Sequence, residues 1–243
     1  NIDAFSSVKE LGRLLIKNND SLLDLSAFNT LEKADRVFLI DGNFSNIGFE
    51  NLNSLITLNI SSCNNITNVD TLSNLTSLAR LEIGISSAST PYFDEPFLHN
   101  QSLESLEGLR NITDLNVVAI AGSENLTSLP DFNGVIDAVI LHNTAIENLD
   151  VFLNTEQEFR TSVYLYNNHQ LKNVDGFLNF DTLAEVYLVN NTDLDNIDGF
   201  DNINQIQNGN ISIDGNNISQ TNSVFENLSF VDFGGIDIKN NSG

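Results

Sequence analysis

In "NNTDLDNIDGFDN", Asp193, Asp195, Asp198 and Asp201 crowd together, and oxygen-rich runs of this kind can hold calcium. Their spacing is not that of a complete EF-hand loop. An acidic residue also follows both Val174 and Ile197, so the run reads as solvated turn carboxylates imposed by a repeat. His99, His142 and His169 lack the spacing of zinc ligands. The lone cysteine, Cys63, excludes an internal disulfide framework and a cysteine-rich zinc site. Cleavage of a polysaccharide would need paired carboxylates facing out together. Glu82 stands alone, and Asp214 and Asp237 lie beside Lys239. No nucleophile elbow or phosphate-cradling glycine loop is present. The expectation is therefore no metal, no cofactor and no catalysis. What remains is aromatic: Tyr164, Tyr166 and Tyr187, three of the four tyrosines, lie close together in the chain. Tyr combines a large apolar face with a polar tip and suits recognition.

The elements that must carry these residues announce themselves by repetition. "SVYLYNNHQLKNVDGFLNF" (162–180) is answered by "EVYLVNNTDLDNIDGFDNI" (185–203). With Val163 and Leu165 as an anchor pair, the same alternation recurs at Leu14/Ile16, Val37/Leu39, Leu58/Ile60, Leu81/Ile83 and Val118/Ile120. It continues at Val139/Leu141, Val186/Leu188, Ile211/Ile213 and Ile236/Ile238. First members are 23, 21, 23, 37, 21, 24, 23, 25 and 25 residues apart. Steps of 6, 3 and 3 after Leu165 reach Leu171, Val174 and Phe177, and the same steps after Leu188 reach Leu194, Ile197 and Phe200.

Alternation in the anchors predicts a short strand with both anchors inward. Asn pairs such as Asn167/Asn168 and Asn190/Asn191 predict a tight turn, since Asn tolerates unusual backbone angles and satisfies local backbone groups. Each further step of three predicts an apolar residue turned inward at a bend. No coil buries its apolar side alone, so coils stack and the anchor strands form one long parallel sheet. Returning segments rich in Asn, Asp, Ser and Gly predict little helix. The expected fold is all-β, a single solenoid domain over 1–243 with about ten coils.

The pattern Asn-Asn, Leu, Val-Asp-Gly-Phe resembles the leucine-rich-repeat superfamily over roughly residues 11–240. It is most similar to the receptor L-domain type, a right-handed parallel β-solenoid. The resemblance implies a binding role and no particular partner, because folds of this kind serve many. L domains of animal receptors usually carry disulfide-bonded caps, which one cysteine cannot supply. A microbial surface protein is the nearer likeness.

Charge and length agree with that likeness. The chain has 243 residues, 33 acidic and 10 basic, for a net charge of −23. This argues against nucleic acid and anionic membranes as partners. No apolar run approaches the roughly 18 residues of a membrane span. Residues 1–10 are expected to cap the first coil through Phe5 and Val8. The segment 84–102, "GISSASTPYFDEPFLHNQS", reads as an inserted loop carrying Tyr92, Phe93 and Phe97. Its aromatics either pack back on the solenoid or overhang the sheet as a binding loop. No C-terminal cap is visible after "IDIKNNSG", so the parent protein is expected to continue or to leave an unprotected edge.

Recognition should then fall to the outward side chains of the sheet. The middle position of each coil reads Leu15, Phe38, Asn59, Glu82, Ala119, Ile140, Tyr164, Tyr187, Ser212, Asp237. With coils about 4.8 Å apart, Ile140, Tyr164 and Tyr187 should form a ladder beside a second one of His142, Tyr166 and Val189. The expected function is binding of a protein or glycan outside the cell. The alternative is a structural spacer, in which the aromatic ladder only stabilises the sheet. Asn-X-Ser/Thr triplets begin at Asn43, Asn65, Asn74, Asn111 and Asn125, among others, as an Asn-, Ser- and Thr-rich repeat produces by chance.

Overall fold

The computed structural model describes residues 2–85, 99–207, 209–218 and 224–242, without the side chains of 158–160. In chain order the strands are β1 (Glu10–Asn19), β2 (Lys33–Gly42), β3 (Ser54–Ser61), β4 (Ser77–Ile83), β5 (Val117–Ser123), β6 (Gly134–Thr144) and β7 (Thr155–Tyr166). They continue as β8 (Thr182–Leu183), β9 (Glu185–Val189), β10 (Gln205–Gln207), β11 (Ile211–Asp214), β12 (Phe230–Asp232) and β13 (Ile236–Lys239). Ten of them form one parallel sheet in the order β1-β2-β3-β4-β5-β6-β7-β9-β11-β13. The short strands β8, β10 and β12 pair on a second wall. No α-helix occurs among the described residues. The fold is an all-β parallel solenoid.

The anchor residues are direct cross-strand partners from end to end. Leu14, Val37, Leu58, Leu81, Val118, Val139, Val163, Val186, Ile211 and Ile236 follow one another in register. From β2 to β11 both anchors of every coil are buried. The last pair is not: Ile236 and Ile238 are 52% and 63% exposed, because no coil lies beyond them among the described residues.

Steps of three place one bulky residue per coil on the far wall. There Phe5, Phe28 and Phe49 stack, and Phe132, Phe152, Phe177, Phe200 and Phe225 stack likewise, with ring centroids 5.6–6.0 Å apart. Leu72 and Leu109 fill the two coils between these runs. The Phe5 contact lets the first residues lean on the first coil, although Phe5 keeps half its surface exposed. The Asp-Gly-Phe triplets of 175–177 and 198–200 are 3₁₀ turns. Their glycines permit close stacking: a Cβ at Gly176 or Gly199 would lie 1.9 Å from the carbonyl oxygen of Leu149 or Val174, one coil below.

The Asn-Asn pairs divide two tasks. The first member takes a left-handed conformation, as at Asn167, Asn190 and Asn240 (φ 51–55°), with Asn143, Gly122 and Gly215 in the same place elsewhere. The second turns inward and joins the coils. Asn168 Nδ2 donates to Leu141 O at 2.9 Å, and its Oδ1 accepts from Thr144 N at 3.1 Å. Asn191, Asn216 and Asn241 repeat this bracket one coil at a time. Such bonds satisfy backbone groups that the turn removes from the sheet ladder. Cys63 holds the equivalent place in its coil, its thiol donating to Leu39 O at 3.3 Å.

The same column locates the insertion. Asn100 Nδ2 donates to Ile60 O at 2.9 Å and its Oδ1 accepts from Cys63 N at 2.9 Å, so the regular coil resumes at Asn100. Of the segment 84–102 expected as an inserted loop, only its two ends are described. Tyr92, Phe93 and Phe97 lie outside the described residues.

Candidate recognition surface

Strand alternation gives each coil three outward positions, which align in columns across the sheet. The central column runs Leu15, Phe38, Asn59, Glu82, Ala119, Ile140, Tyr164, Tyr187, Ser212, Asp237 through direct partners. Both predicted ladders are present in register: Ile140–Tyr164–Tyr187 and His142–Tyr166–Val189. Burial divides the face into zones that the pattern of outward letters does not show.

Over β3 to β5 the outward side is closed. Asn59, Ser61, Glu82, Ala119 and Ala121 are all buried. Glu82, 1% exposed, is paired with Arg80, and its other oxygen accepts from Asn59 Nδ2 at 3.0 Å. Both ends of the insertion meet this zone. Ile85 O accepts from Asn59 Nδ2 at 2.9 Å and from Ser61 Oγ at 3.2 Å. His99 lies so near Gly122 that a Cβ there would come within 2.6 Å of its Nδ1. Asn59 is thus committed inside the fold.

Over β6 to β9 the face is an aromatic ledge. Tyr164 and Tyr187 stack at 5.4 Å with planes 14° apart, and Tyr166 and Tyr187 at 6.3 Å and 19°. His142 adjoins Tyr166 at 6.4 Å. Tyr164, expected at the surface, is only 6% exposed. Its hydroxyl bonds the carboxylate of Glu185. Burial, reinforced by that hydrogen bond and by the negative charge of Glu185, pushes the phenol's pKa far up. Tyr166 shifts in the same direction, first from burial and then from Tyr187 and Glu185. Tyr187, half-buried, accepts from Asn210 Nδ2 at 3.1 Å. Ile140 and Val189 are also half-buried.

A bulge precedes Tyr164 in β7. Ile136 pairs with Gln157 and Ala138 with Ser162, so one residue of β6 faces four of β7. Thr161, within this bulge, bonds Ile136 O through its hydroxyl at 2.6 Å. The bulge is hidden from the repeat count, because the Val139–Val163 interval of 24 is ordinary.

His142 is buried as well. Its Nε2 lies 3.0 Å from Asn167 Nδ2, within hydrogen-bonding distance. Burial, helped by the charge of His99, lowers its pKa to about 4. At neutral pH the ledge is a row of uncharged rings with polar edges, suited to apolar contact and directed hydrogen bonds rather than proton transfer.

The acidic candidates do not converge. Among the described residues no group of three or more His, Cys, Asp or Glu side chains could hold a metal ion. Asp193 and Asp195 are exposed, whereas Asp198 opens a 3₁₀ turn with its N–H donating to Asn196 Oδ1 at 2.7 Å. Asp237 pairs with Lys239 at 3.5 Å, and Asp214 accepts from Asn240 at 2.8 Å.

At the other end, β1 and β2 leave Arg13, Leu15, Lys17 and Arg36 exposed, with Phe38 and Ile40 half-buried beside them. The middle column read from the sequence includes Leu15 and Phe38 but not the arginines. They occupy the outward position two residues before the middle one, where Thr57, Arg80 and Val117 follow.

No protein-family model matches this chain, and searches of curated proteins and of solved structures give no significant match.

Proposed function

We propose that the protein is a non-catalytic recognition module that acts outside the cell, binding a protein or glycan through the outward face of its long parallel sheet. The half-exposed ledge of Tyr166 and Tyr187, flanked by Ile140 and Val189 on rigid paired strands, carries this reading. Aromatic rings held by their neighbours offer contact area at little cost in side-chain freedom. The coil's likeness to leucine-rich repeats supports a binding role in general terms. A spacer would need only the inward columns, which are complete without the tyrosines.

The structure changes which residues test the idea. Tyr164 belongs to the packing, so the informative variant is Tyr166→Ser/Tyr187→Ser with Tyr164 retained. Purified wild type and variant would be compared on a glycan array and in adhesion to immobilised host and microbial cells. Loss of at least about tenfold in binding, with thermal unfolding cooperative in both, is the expected result, since aromatic residues dominate such interfaces. Equal adhesion and equal array signals would favour the spacer.

A further inference from the structure

The basic residues of this acidic protein are spent unevenly. Lys9, Lys33, Arg80, Lys172 and Lys239 each sit within 4.0 Å of a carboxylate. Arg13, Lys17 and Arg36, like the isolated Arg110 on another wall, have no such partner among the described residues, in a chain with 33 acidic side chains. Arg13, Lys17 and Arg36 all project from the outward face of two adjacent strands. Arg13 and Arg36 are direct cross-strand partners, an arrangement of like charges that costs stability. Arg13 also lies over the ring of Phe38, its Cζ 5.2 Å from the centroid.

Between the cations lies apolar surface. Along β1 the outward order is Arg13, Leu15, Lys17; along β2 it is Arg36, Phe38, Ile40. Leu15 is 46% exposed. Outward residues two apart on a strand are spaced by about 6.8 Å, so β1 presents cation, aliphatic, cation at the pitch of another extended chain.

We infer that the outward face of β1 and β2 docks an extended acidic peptide segment of a protein partner, with carboxylates at alternate outward positions either side of an apolar residue. Carboxylates reach Arg13 and Arg36, whose planar forks suit bidentate pairing, and a further one reaches Lys17. The apolar side chain lies on Leu15 and Ile40. An anionic polysaccharide would satisfy the charges, but sugar faces stack on exposed aromatic rings. Here the exposed apolar groups are aliphatic, and the one ring is occupied by Arg13. This inference rests on the sheet-face reading above and names a partner for a zone separate from the tyrosines.

The test uses a fluorescein-labelled peptide of order Gly-Ser-Glu-Ser-Leu-Ser-Glu-Ser-Gly, read by fluorescence anisotropy. Comparators are the same peptide with Lys for Glu, the same with Ser for Leu, and a heparin oligosaccharide. Expected is preference for the Glu/Leu peptide, with at least about tenfold loss in Arg13→Glu/Arg36→Glu and a few-fold loss in Leu15→Ser. Binding should also weaken between about 50 and 300 mM salt, as screening requires. Because charge reversal could disturb folding, Arg13→Gln/Arg36→Gln is run in parallel, each variant with its unfolding midpoint. Peptide binding that ignores these substitutions, equal binding of the Lys peptide, no peptide binding, or heparin binding alone would each overturn the inference. In the Tyr166→Ser/Tyr187→Ser protein peptide binding should persist. Loss there but not in the arginine variants would sink this proposal and leave the sheet-face reading standing.

Discussion

The sheet face over β1–β2 and the face over β7–β9 share one backbone and one register, yet their side chains stand in opposite relations to each other. In the first zone like charges meet: Arg13 faces Arg36 and leans on the ring of Phe38, with no carboxylate within 4.0 Å of either arginine among the described residues. In the second, neighbours are satisfied: Tyr164 stacks on Tyr187 and bonds Glu185, and Asn210 holds the Tyr187 hydroxyl. Cohesive side chains close on themselves, whereas paired like charges stay open to solvent. The lesson is that exposure on this face follows mutual satisfaction, not position in the repeat.

The largest effect should separate the zones by stability. Tyr164→Ala is expected to cost roughly 3–4 kcal/mol, as for other buried aromatics, whereas Arg36→Ala should stay within about 0.5 kcal/mol as a surface change. Denaturant midpoints measure both, and similar costs would erase the distinction. The scaffold beneath the two zones differs in the same sense. Asn191 brackets two coils with buried hydrogen bonds, so Asn191→Ala should cost about 2–3 kcal/mol, because backbone groups are left without partners. Cys63 supplies only a weak thiol donor from the same column, and Cys63→Ala should cost about 1 kcal/mol. Burial lifts that thiol's pKa to about 11, so the native protein should also resist alkylation near pH 8. An alkylation rate equal to that of the unfolded chain would contradict the burial.

The smallest effect is one of pH. The folded pKa of His142, about 4, lies below the ordinary histidine value, so the unfolded chain takes up the proton first. The group's contribution is therefore complete above about pH 6.5 and drains away as pH falls toward 4. Discounted for solvent screening, it amounts to about 1 kcal/mol. The stability gap between wild type and His142→Gln should shrink by that amount between pH 7 and pH 4.5. A constant gap would show that folding leaves the imidazole's affinity for protons unchanged.

Much of this architecture was legible before any coordinates. The anchor alternation marked ten strands and their partners, and steps of three marked the column that became the phenylalanine stack. Even the slot of Cys63 is readable in retrospect, since it follows Ile60 by the same three residues that separate Asn168 from Leu165. Other features left no trace in the spacing. The bulge over 158–161 sits inside an interval of ordinary length, and it is the hydrogen bonds of Asn100 that mark where the column resumes after the insertion.

The chain by itself determined which residues face inward and which strands are neighbours, because alternation and coil length are local properties that stacking merely repeats. Only the tertiary structure decided which outward residues meet solvent. It buried Tyr164, Glu82 and Asn59 and left Arg13, Arg36 and Leu15 open. The physical reason is that exposure depends on atoms brought in from other coils and from the ends of the insertion, and those contacts have no period.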